Sequence, residues 1–356
     1  MDEKQLLIYF LSQFDLAANK VEEILSALDE NFSFSKLCSI KLEKIVSNAT
    51  AEKILSLASE KYAKIYLENL EELGIGLLCK LDEAFPGKLL PLEDCPFFLF
   101  YKGDLSLLKM PSIAIVGSRM PSAYGRMVSE RFARELAQNN VAIISGLAYG
   151  VDSIAHRAAL ECGGKTIAVL GSGLNNIYPA QHSDLAREIA QKGLLLSEYC
   201  PSSSATKYSF PARNRIIAGL SDGVLITEAS LKSGTLYTRD FALDYGKDVY
   251  AVPGNIDNPK SALPNEIICS GQGMGVSSSK AILENLHIES CETQKKNLQL
   301  SFEEDIVIKL LETGAKELEE IEKKSNLPIN ILSSCLTMLE IRGIISRMPG
   351  GFFCLK

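Results

Sequence analysis

The chain has 356 residues, of which 46% are apolar and 23% charged, values typical of a globular protein with two or three domains. Its 37 basic and 44 acidic residues give a formal net charge of -7, which argues against a protein that coats nucleic acid by bulk charge but permits a local basic site. The nine cysteines form no CxxC pair, and the sequence has no apolar signal core and no apolar run near the roughly 18 residues of a membrane span. We therefore expect a cytoplasmic protein with reduced thiols.

The first 75 residues predict a small helical domain. Apolar residues recur there at spacings of three and four, which is the period of a helix face. One such stripe begins at Leu6 and another at Val21, and the alternation typical of strands is missing. We therefore assign residues 1–75 to a helical domain and residues 76–280 to the larger domain that follows it.

Six short apolar runs within 112–276 predict the strands of a parallel sheet. Each run is followed by helical periodicity, and the runs lie at 113–117, 141–146, 167–171, 194–198, 224–228 and 249–254. Near-continuous apolar strands that alternate with helices are typical of a doubly wound, Rossmann-like α/β fold. Such sheets bind ligands beyond the carboxyl ends of their strands, so we expect the functional site at that edge.

The C-terminal part predicts a linker and a third domain. Residues 281–300 are polar and poor in pattern, as in a linker, and residues 301–356 give three helical segments and a hairpin, the outline of a winged helix. The candidate recognition helix, Ile329 to Ile341, contains no Lys or Arg, although a helix in the major groove contacts phosphates and bases. We expect this domain to dock protein or to serve structure, with DNA binding as the less favoured alternative.

A basic and aromatic stretch lies between the fourth and fifth predicted strands. Lys207 and Phe210 precede Arg213, Asn214 and Arg215, and an apolar helix-like run follows. Cations, an aromatic ring and an amide together suit a sugar-phosphate backbone with an exposed base. In a protein of net negative charge, this stretch predicts a site for an anion.

The turn after the first predicted strand is a second candidate. Gly117, Ser118 and Arg119 follow that strand and precede a predicted helix. Backbone N–H groups in such a turn, together with the donor fork of an arginine, suit phosphate. The alternative is a surface arginine beside a tight turn, and we favour phosphate binding because the turn lies at the functional edge of the sheet.

Loops at the other strand ends supply further candidates. Gly146 allows the backbone to approach a ligand closely, and Gly171 ends another strand at the functional edge, so we include both in the candidate site. Strand-to-helix turns also often require glycine for their own geometry. Asp152 is placed to cap the helix that follows Gly146. Ser233 and Gly234 are placed to cap another helix and to present amides to an anion.

Catalytic and metal-binding motifs are missing from the sequence. There is no Walker A motif, GxSxG elbow, HExxH motif or paired histidine and cysteine spacing. The turn at Gly171-Ser172-Gly173 lacks the third glycine of the dinucleotide fingerprint, so we exclude NAD. His156 shares an apolar helix face with Ala155, which favours a core residue over a ligand. The sequence thus predicts no enzyme, no cofactor and no metal site.

Several of these motifs occur together within 112–276. They are Gly117-Ser118-Arg119, Ser145-Gly146 with Asp152 and His156, Gly171-x-Gly173 with Tyr178-Pro179, Phe210-Pro211-x-Arg213-Asn214-Arg215, Ser233-Gly234-Thr235 and Ala251-Val252-Pro253-Gly254. In this combination they resemble the DNA-processing protein A family (DprA/Smf). A helical N-terminal module similar to a sterile-alpha-motif (SAM) fold and a C-terminal winged helix also occur in that family.

The resemblance implies a homodimer that binds single-stranded DNA in a basic pocket of its Rossmann-like domain. It further implies that the protein delivers the strand to the RecA recombinase when competent cells take up foreign DNA in natural transformation. No membrane partner is implied.

The resemblance also implies roles for individual residues. Carried over by motif, the residues that meet the strand or complete its pocket are Arg119, Lys207, Phe210, Arg213 and Arg215. Arg119 and Lys207 would hold backbone phosphate and Phe210 would contact a base, whereas Asn214 would order the loop. We expect one of the two neighbouring arginines to anchor the loop. Ala212 stands where a basic residue is common in the family.

Two alternatives of other classes stay open from the sequence. The first is a nucleotide phosphoribohydrolase of the related LOG-type Rossmann fold, because Glu228 with Ser233-Gly234-Thr235 loosely resembles the signature of that group. That signature does not account for Arg213 and Arg215, and its double glycine is missing here. The second is a protein-interaction scaffold in which the arginines bridge acidic neighbours.

Overall fold

The computed structural model describes residues 2–29, 32–288, 301–312, 314–348 and 351–355. The chain divides into two units, Met1–Cys291 and Glu292–Lys356, and each is described by itself. Within the described ranges, no helix combines the length and the apolar character needed to cross a bilayer.

Helices form the N-terminal part of the first unit, as the sequence predicts. They are α1 (Glu3–Leu11), α2 (Ala18–Ala27), α3 (Phe34–Ser39), α4 (Asn48–Leu57) and α5 (Glu60–Glu72). Four of them begin with a capping residue whose side-chain oxygen accepts a backbone N–H bond from the first turn of the helix. The capping residues are Asp2, Ser33, Ser47 and Ser59. These caps satisfy donors that the first turn of a helix leaves unpaired.

The helical part shares its core with the sheet that follows. Phe10 of α1 is fully buried and belongs to the same apolar cluster as Cys79, Phe97 and Phe98. Leu70 of α5 packs in a second cluster with residues of the sheet. The first 75 residues therefore supply most of one core cluster but share it with residues that follow, and their limit as a domain stays a prediction.

A nine-stranded sheet forms the centre of the first unit. Its strands are β1 (Gly76–Cys79), β2 (Phe98–Gly103), β3 (Ser112–Val116), β4 (Ala142–Ser145), β5 (Thr166–Leu170), β6 (Leu194–Ser197), β7 (Gly223–Ile226), β8 (Asp248–Ala251) and β9 (Met274–Gly275). Their order is β1-β2-β6-β5-β4-β3-β7-β8-β9, and all neighbours from β6 to β9 are parallel. The six predicted strands are confirmed. The sequence missed the antiparallel edge formed by β1 and β2 and the two-residue strand β9.

Helices cover both faces of the sheet, which confirms the doubly wound fold. They are α6 (Ala123–Gln138), α7 (Val151–Glu161), α8 (Ser183–Lys192), α9 (Ser209–Leu220), α10 (Thr235–Asp244), α11 (Ala262–Cys269) and α12 (Ser279–Asn285). Residues of α9, α10 and α11 pack in one core cluster with strand residues such as Ala114 and Ile144. Residues of α6, α7 and α12 pack in another with Ile113 and Ile143, whose side chains point to the opposite face.

The chain reverses its direction of travel across the sheet between β6 and β7. Strands β3, β4, β5 and β6 follow one another outward, and α9 then returns the chain to β7 on the other side of β3. Val116 at the end of β3 pairs with Ile226 at the end of β7. A crevice beyond such adjacent carboxyl ends is the usual ligand site of an open α/β sheet.

The predicted linker begins inside a helix. Residues 281–285 belong to α12, where Ile282 and Leu283 are buried in the core. The helix extends into the predicted linker because these two apolar side chains complete its buried face. The polar residues around them conceal this short apolar pattern when the sequence is read alone. Residues 289–300 of the predicted linker lie outside the described ranges.

The second unit has the predicted winged-helix architecture. Its elements are α13 (Phe302–Leu311), β10 (Lys316–Glu317), α14 (Leu318–Ser325), α15 (Ile329–Ile341), β11 (Ile345–Arg347) and β12 (Phe352–Leu355). Ser301 and Glu304 form a capping box that starts α13. Ile329, Met338 and Ile341 of α15 are exposed, so this helix offers an apolar surface without a cation.

His156 lies in the core, as the sequence predicts. Its side chain is fully buried, and its Nδ1 lies 2.6 Å from the hydroxyl of Thr166, which in turn donates to the carbonyl of Ile143. Burial disfavours the charged imidazolium and lowers the pKa of His156 from 6.5 to about 3.

We predict that His156 makes the protein sensitive to acid. In the unfolded chain, this imidazole is protonated below about pH 6.5. In the folded chain, it stays neutral until the pH falls to about 3. The free energy of unfolding should therefore fall by about 1.4 kcal/mol per pH unit as the pH drops through this window. Urea titrations of the wild type and His156→Asn should show a shallower acid loss in the variant, and parallel pH profiles would contradict this account.

Candidate functional site

A cavity of about 710 Å³ opens where the chain reverses, and we call it the switch-point cavity. Its walls are the loops after β3 and β7 and the first turns of α9 and α10. The charged side chains that line it are Arg119, Lys207, Arg213, Lys260 and Asp152. Four basic groups and one acidic group give the cavity a positive charge in a chain of net charge -7, which suits an anionic ligand.

Arg119, Lys207 and Phe210 all line this cavity. The guanidinium carbon of Arg119 lies 5.6 Å from the centre of the Phe210 ring, and that ring lies 5.3 Å from the ring of Tyr178. Arg119 and Lys207 are exposed, and neither forms a salt bridge with any residue in the described ranges. The two cations and the half-buried ring are therefore available to a ligand.

Arg213, by contrast, is buried and bonded to the protein. Its Nη1 donates to the carbonyl oxygens of Gly146, at 2.8 Å, and Val169, which lie at the carboxyl ends of β4 and β5. The residue is 4% exposed, and this burial lowers the pKa of its guanidinium to about 10, so the group keeps its charge at neutral pH. Of the two neighbouring arginines, Arg213 joins α9 to the sheet.

Gly146 and Gly171 make room for side chains of α9. A Cβ atom on Gly146 would lie 2.6 Å from the guanidinium carbon of Arg213, and one on Gly171 would lie 3.0 Å from the Phe210 ring. Neither glycine lines the cavity. The expectations that Gly146 brings the backbone close to a ligand and that Gly171 belongs to the binding site are corrected, because the close approach at both is to the protein's own side chains.

Asp152 holds the loop after β4. Its Oδ2 accepts bonds from the backbone N–H groups of Gly146, at 3.1 Å, and Ala148, at 3.4 Å. Burial raises the pKa of this carboxyl, and the positive charge of Arg213 opposes that rise. The predicted capping role is corrected, since Gly150 occupies the N-cap position of α7.

The turn after β3 is tied to the end of β7. The backbone N–H of Ser118 donates to the carbonyl of Glu228 at 2.6 Å, so it does not serve an anion as predicted. The buried carboxylate of Glu228 accepts from the N–H and hydroxyl of Ser122 and from Asn258. Gly117 and Ser118 still line the cavity, but the group of this turn that offers charge is Arg119.

Asn214 connects α9 to the start of α10. Its Oδ1 accepts from Arg213 Nε at 3.2 Å, and its Nδ2 donates to the carbonyl of Gly234 at 3.4 Å. Gly234 is the N-cap residue of α10, and the hydroxyl of Ser233 accepts from the N–H of Thr235. Ser233 and Gly234 thus shape the start of α10 and line the cavity.

Arg215 lies outside the switch-point cavity, contrary to the expectation that it completes the pocket. Its Nη2 lies 2.6 Å from both carboxylate oxygens of Glu198, and Asp94 lies close to its Nε. Successive residues of an α-helix are rotated by about 100° around its axis. Arg213 and Arg215 are two residues apart on α9, so their side chains face different sides. The structure gives Arg215 a protein partner in place of a ligand.

Three residues beside the cavity escaped the sequence prediction. Lys260 lines it from the loop before α11, and no motif marks this lysine. Tyr208 is 73% exposed beneath the ammonium of Lys207, and Tyr178 is 51% exposed beside Phe210. Tyr208 could have been found from the sequence, because it lies between Lys207 and Arg213, and aromatic residues interleaved with cations are typical of single-strand binding surfaces. Tyr178 has no cation near it in the sequence and comes beside Phe210 only in the fold.

The helical part of the unit fixes the loop that carries Lys207. The carboxylate of Asp15, which follows α1, accepts from the backbone N–H of Cys200 at 2.6 Å and from the hydroxyl of Ser203. The same loop accepts backbone bonds from the turn after β5, since Gly173 N–H donates to the carbonyl of Ser203 and Asn175 N–H to that of Pro201. The position of Lys207 therefore depends on contacts with both the helices and the sheet.

Comparison with protein families decides the identity. The sequence model described as DNA recombination-mediator protein A matches residues 76–287, and the model of the DprA winged-helix domain matches residues 292–351. The chain belongs to the DNA recombination-mediator protein A family. Its two matched segments correspond to the α/β sheet and to the winged helix of the structure.

Members of the DNA recombination-mediator protein A family are similar over most of this chain. Protein Smf of Escherichia coli is 37% identical over 81% of this chain and 79% of its own length. DNA processing protein DprA of Streptococcus pneumoniae is 45% identical over 57% of this chain and 72% of its own length.

Two solved structures of the family are similar in fold as well. That of DprA from Streptococcus pneumoniae is 34% identical, has a TM-score of 0.69 and covers 80% of this chain and 98% of its own. That of DNA processing protein A from Helicobacter pylori is 37% identical, has a TM-score of 0.54 and covers 60% and 95%. The Helicobacter structure is described as showing a single-stranded DNA binding mode.

We predict that Gly146→Ala lowers the free energy of unfolding by about 1–3 kcal/mol, because the added methyl group overlaps the guanidinium of Arg213. Gly87→Ala is the matched control, since nothing lies within 4 Å of a Cβ atom at that position. It should change stability by no more than about 0.5 kcal/mol. Chemical denaturation of the three proteins measures both effects, and equal losses would show that Gly146 does not accommodate Arg213.

Proposed function

We propose that the protein binds single-stranded DNA in the switch-point cavity. The observation that carries the proposal is the presence there of two exposed cations, Arg119 and Lys207, beside the half-buried ring of Phe210. Cations hold phosphates of any sequence, and a free ring stacks on a base that has no pairing partner. The single-stranded DNA binding mode described for the Helicobacter relative supports the same ligand.

The geometry supports a division of roles among the predicted residues and Lys260. Arg119, Lys207 and Lys260 contact phosphate, and Phe210 contacts a base. Arg213 and Asn214 hold α9 in place, since their polar groups already bond to the protein. Arg215 is left out of the binding set because Glu198 occupies its guanidinium.

We also propose that the protein acts in the cytoplasm as a homodimer and transfers the strand to the RecA recombinase during natural transformation. The family to which the chain belongs is one of recombination mediators, which supports this step. The apolar, cation-free face of α15 supports a role for the winged helix in protein docking. The domain limits at 75 and 300 belong to the same proposal, whereas the limit predicted at 280 moves to the end of α12 or beyond.

The geometry does not favour the phosphoribohydrolase alternative. Glu228 would have to supply its catalytic carboxylate, but this residue is fully buried and does not line the cavity. Its oxygens accept bonds from Ser122 and Asn258, which makes it a structural link between loops. We therefore propose a binding protein that is not an enzyme.

Loss of either exposed cation should weaken binding of single strands. We expect Arg119→Ala and Lys207→Glu each to raise the Kd for labelled oligothymidylate about tenfold, which corresponds to ~1.4 kcal/mol. Each variant should also reduce the slope of log K against log salt by about 0.7, the contribution of one single-strand phosphate. Fluorescence anisotropy across a salt series measures both.

Lys192→Glu is the matched control for this experiment. Lys192 is exposed and ends α8 next to the amino end of β6, away from the cavity. The control should bind like the wild type. If all three variants bind single strands as the wild type does, the switch-point cavity is not the binding site.

The proposed transfer to RecA is tested by RecA strand exchange on single strands already coated with a single-strand binding protein. The wild type should shorten the lag before exchange, whereas Lys207→Glu should not, because it cannot hold the strand. If Lys207→Glu stimulates strand exchange as well as the wild type does, transfer to RecA does not depend on strand binding in the switch-point cavity.

A further inference from the structure

A second cavity of about 610 Å³ adjoins the switch-point cavity, and we call it the α6–α7 cavity. Arg119 and Met120 line both cavities, so the two meet at this pair of residues. The α6–α7 cavity is otherwise formed by the first turns of α6 and α7, with Arg126, Tyr149 and Ile154 in its walls. No sequence motif marked it as a site.

The α6–α7 cavity carries positive charge. Arg119 and Arg126 line it, and no carboxylate is among the lining residues. Helix α6 holds two further arginines, Arg131 and Arg134, and both of these pair with glutamates. Arg126 is exposed and has no salt bridge within the described ranges, so it differs from its neighbours on the same helix. A cation left without a partner beside a second one suits an anion.

Tyr149 supplies a rigid aromatic surface in the same cavity. Its hydroxyl donates to Gln181 at 2.5 Å, and its ring meets the ring of His182 edge to face at 5.1 Å. These contacts fix the ring while 40% of the residue stays exposed. Met120 beside it is 76% exposed. An immobilised ring and a polarizable thioether are suited to the face of a base.

We propose that the α6–α7 cavity binds the continuation of the single strand that occupies the switch-point cavity. The backbone passes Arg119, which belongs to both cavities; Arg126 then binds a further phosphate and Tyr149 stacks on a further base. The proposal rests on the proposed function of the switch-point cavity. It adds that the binding track extends from α9 and α10 to α6 and α7, so that long and short strands make different contacts.

The test is a length series of labelled oligothymidylates from about 4 to about 16 nucleotides, the range of site sizes of known single-strand binding folds. Arg126→Glu should leave the Kd of the shortest oligonucleotides unchanged and raise that of the longest about tenfold. Its salt slope should fall by about 0.7 for the long strands only. Arg187→Glu, a charge reversal at an exposed arginine of α8, should match the wild type at every length.

Tyr149 provides an independent readout. Tyr149→Phe keeps the ring and should retain binding of long strands, whereas Tyr149→Leu should weaken it several-fold while thermal unfolding shows both variants folded. Equal effects of Arg126→Glu on short and long strands, or no effect on either, would overturn the extended track. Failure of the switch-point cavity itself gives a different result, because Lys207→Glu, at a residue that lines that cavity and not the α6–α7 cavity, would then bind every length as the wild type does.

Discussion

The buried guanidinium of Arg213 is the contact on which the arrangement of the site depends. It draws the first turn of α9 against the carbonyl groups that end β4 and β5, and only glycine at position 146 leaves space for it. A buried cation is costly unless its donors are bonded and a counter-charge lies near, and here two carbonyls and Asp152 meet these conditions. Because α9 is fixed in this way, Phe210 and the residues before it stand over the carboxyl ends of the strands.

The cations of the site divide into two kinds. Arg213 and Arg215 bond to the protein itself: Arg213 donates to backbone carbonyls, and Arg215 pairs with Glu198. Arg119 and Lys207 lie on loops, are exposed and carry the charge that a ligand meets. A protein of net charge -7 can therefore offer a positive surface at one edge of its sheet without general affinity for polyanions.

The loops around the cavities are held by neighbours from every side. Asp15 fixes the loop before α9, Glu228 ties the turns after β3 and β7, and Asp152 fixes the loop after β4. Each of these carboxylates accepts at least one backbone N–H bond. For the buried Glu228 and Asp152, such bonds replace hydrogen bonds to water that burial removes. Such pre-ordering lowers the entropy lost when a ligand binds, because few side chains other than the exposed cations remain to be fixed.

The sequence by itself determined the six parallel strands, the helices at both ends of the chain and the basic stretch near residue 210, since these follow from local periodicity and composition. It did not determine the antiparallel edge of β1 and β2, whose short apolar runs acquire strand pairing only beside β6. Nor did the sequence determine which of Arg213 and Arg215 is buried against the sheet, or which side chains pack against Gly146 and Gly171. Those assignments depend on which side of α9 faces the sheet and on strands distant in sequence, and only the tertiary structure decides both.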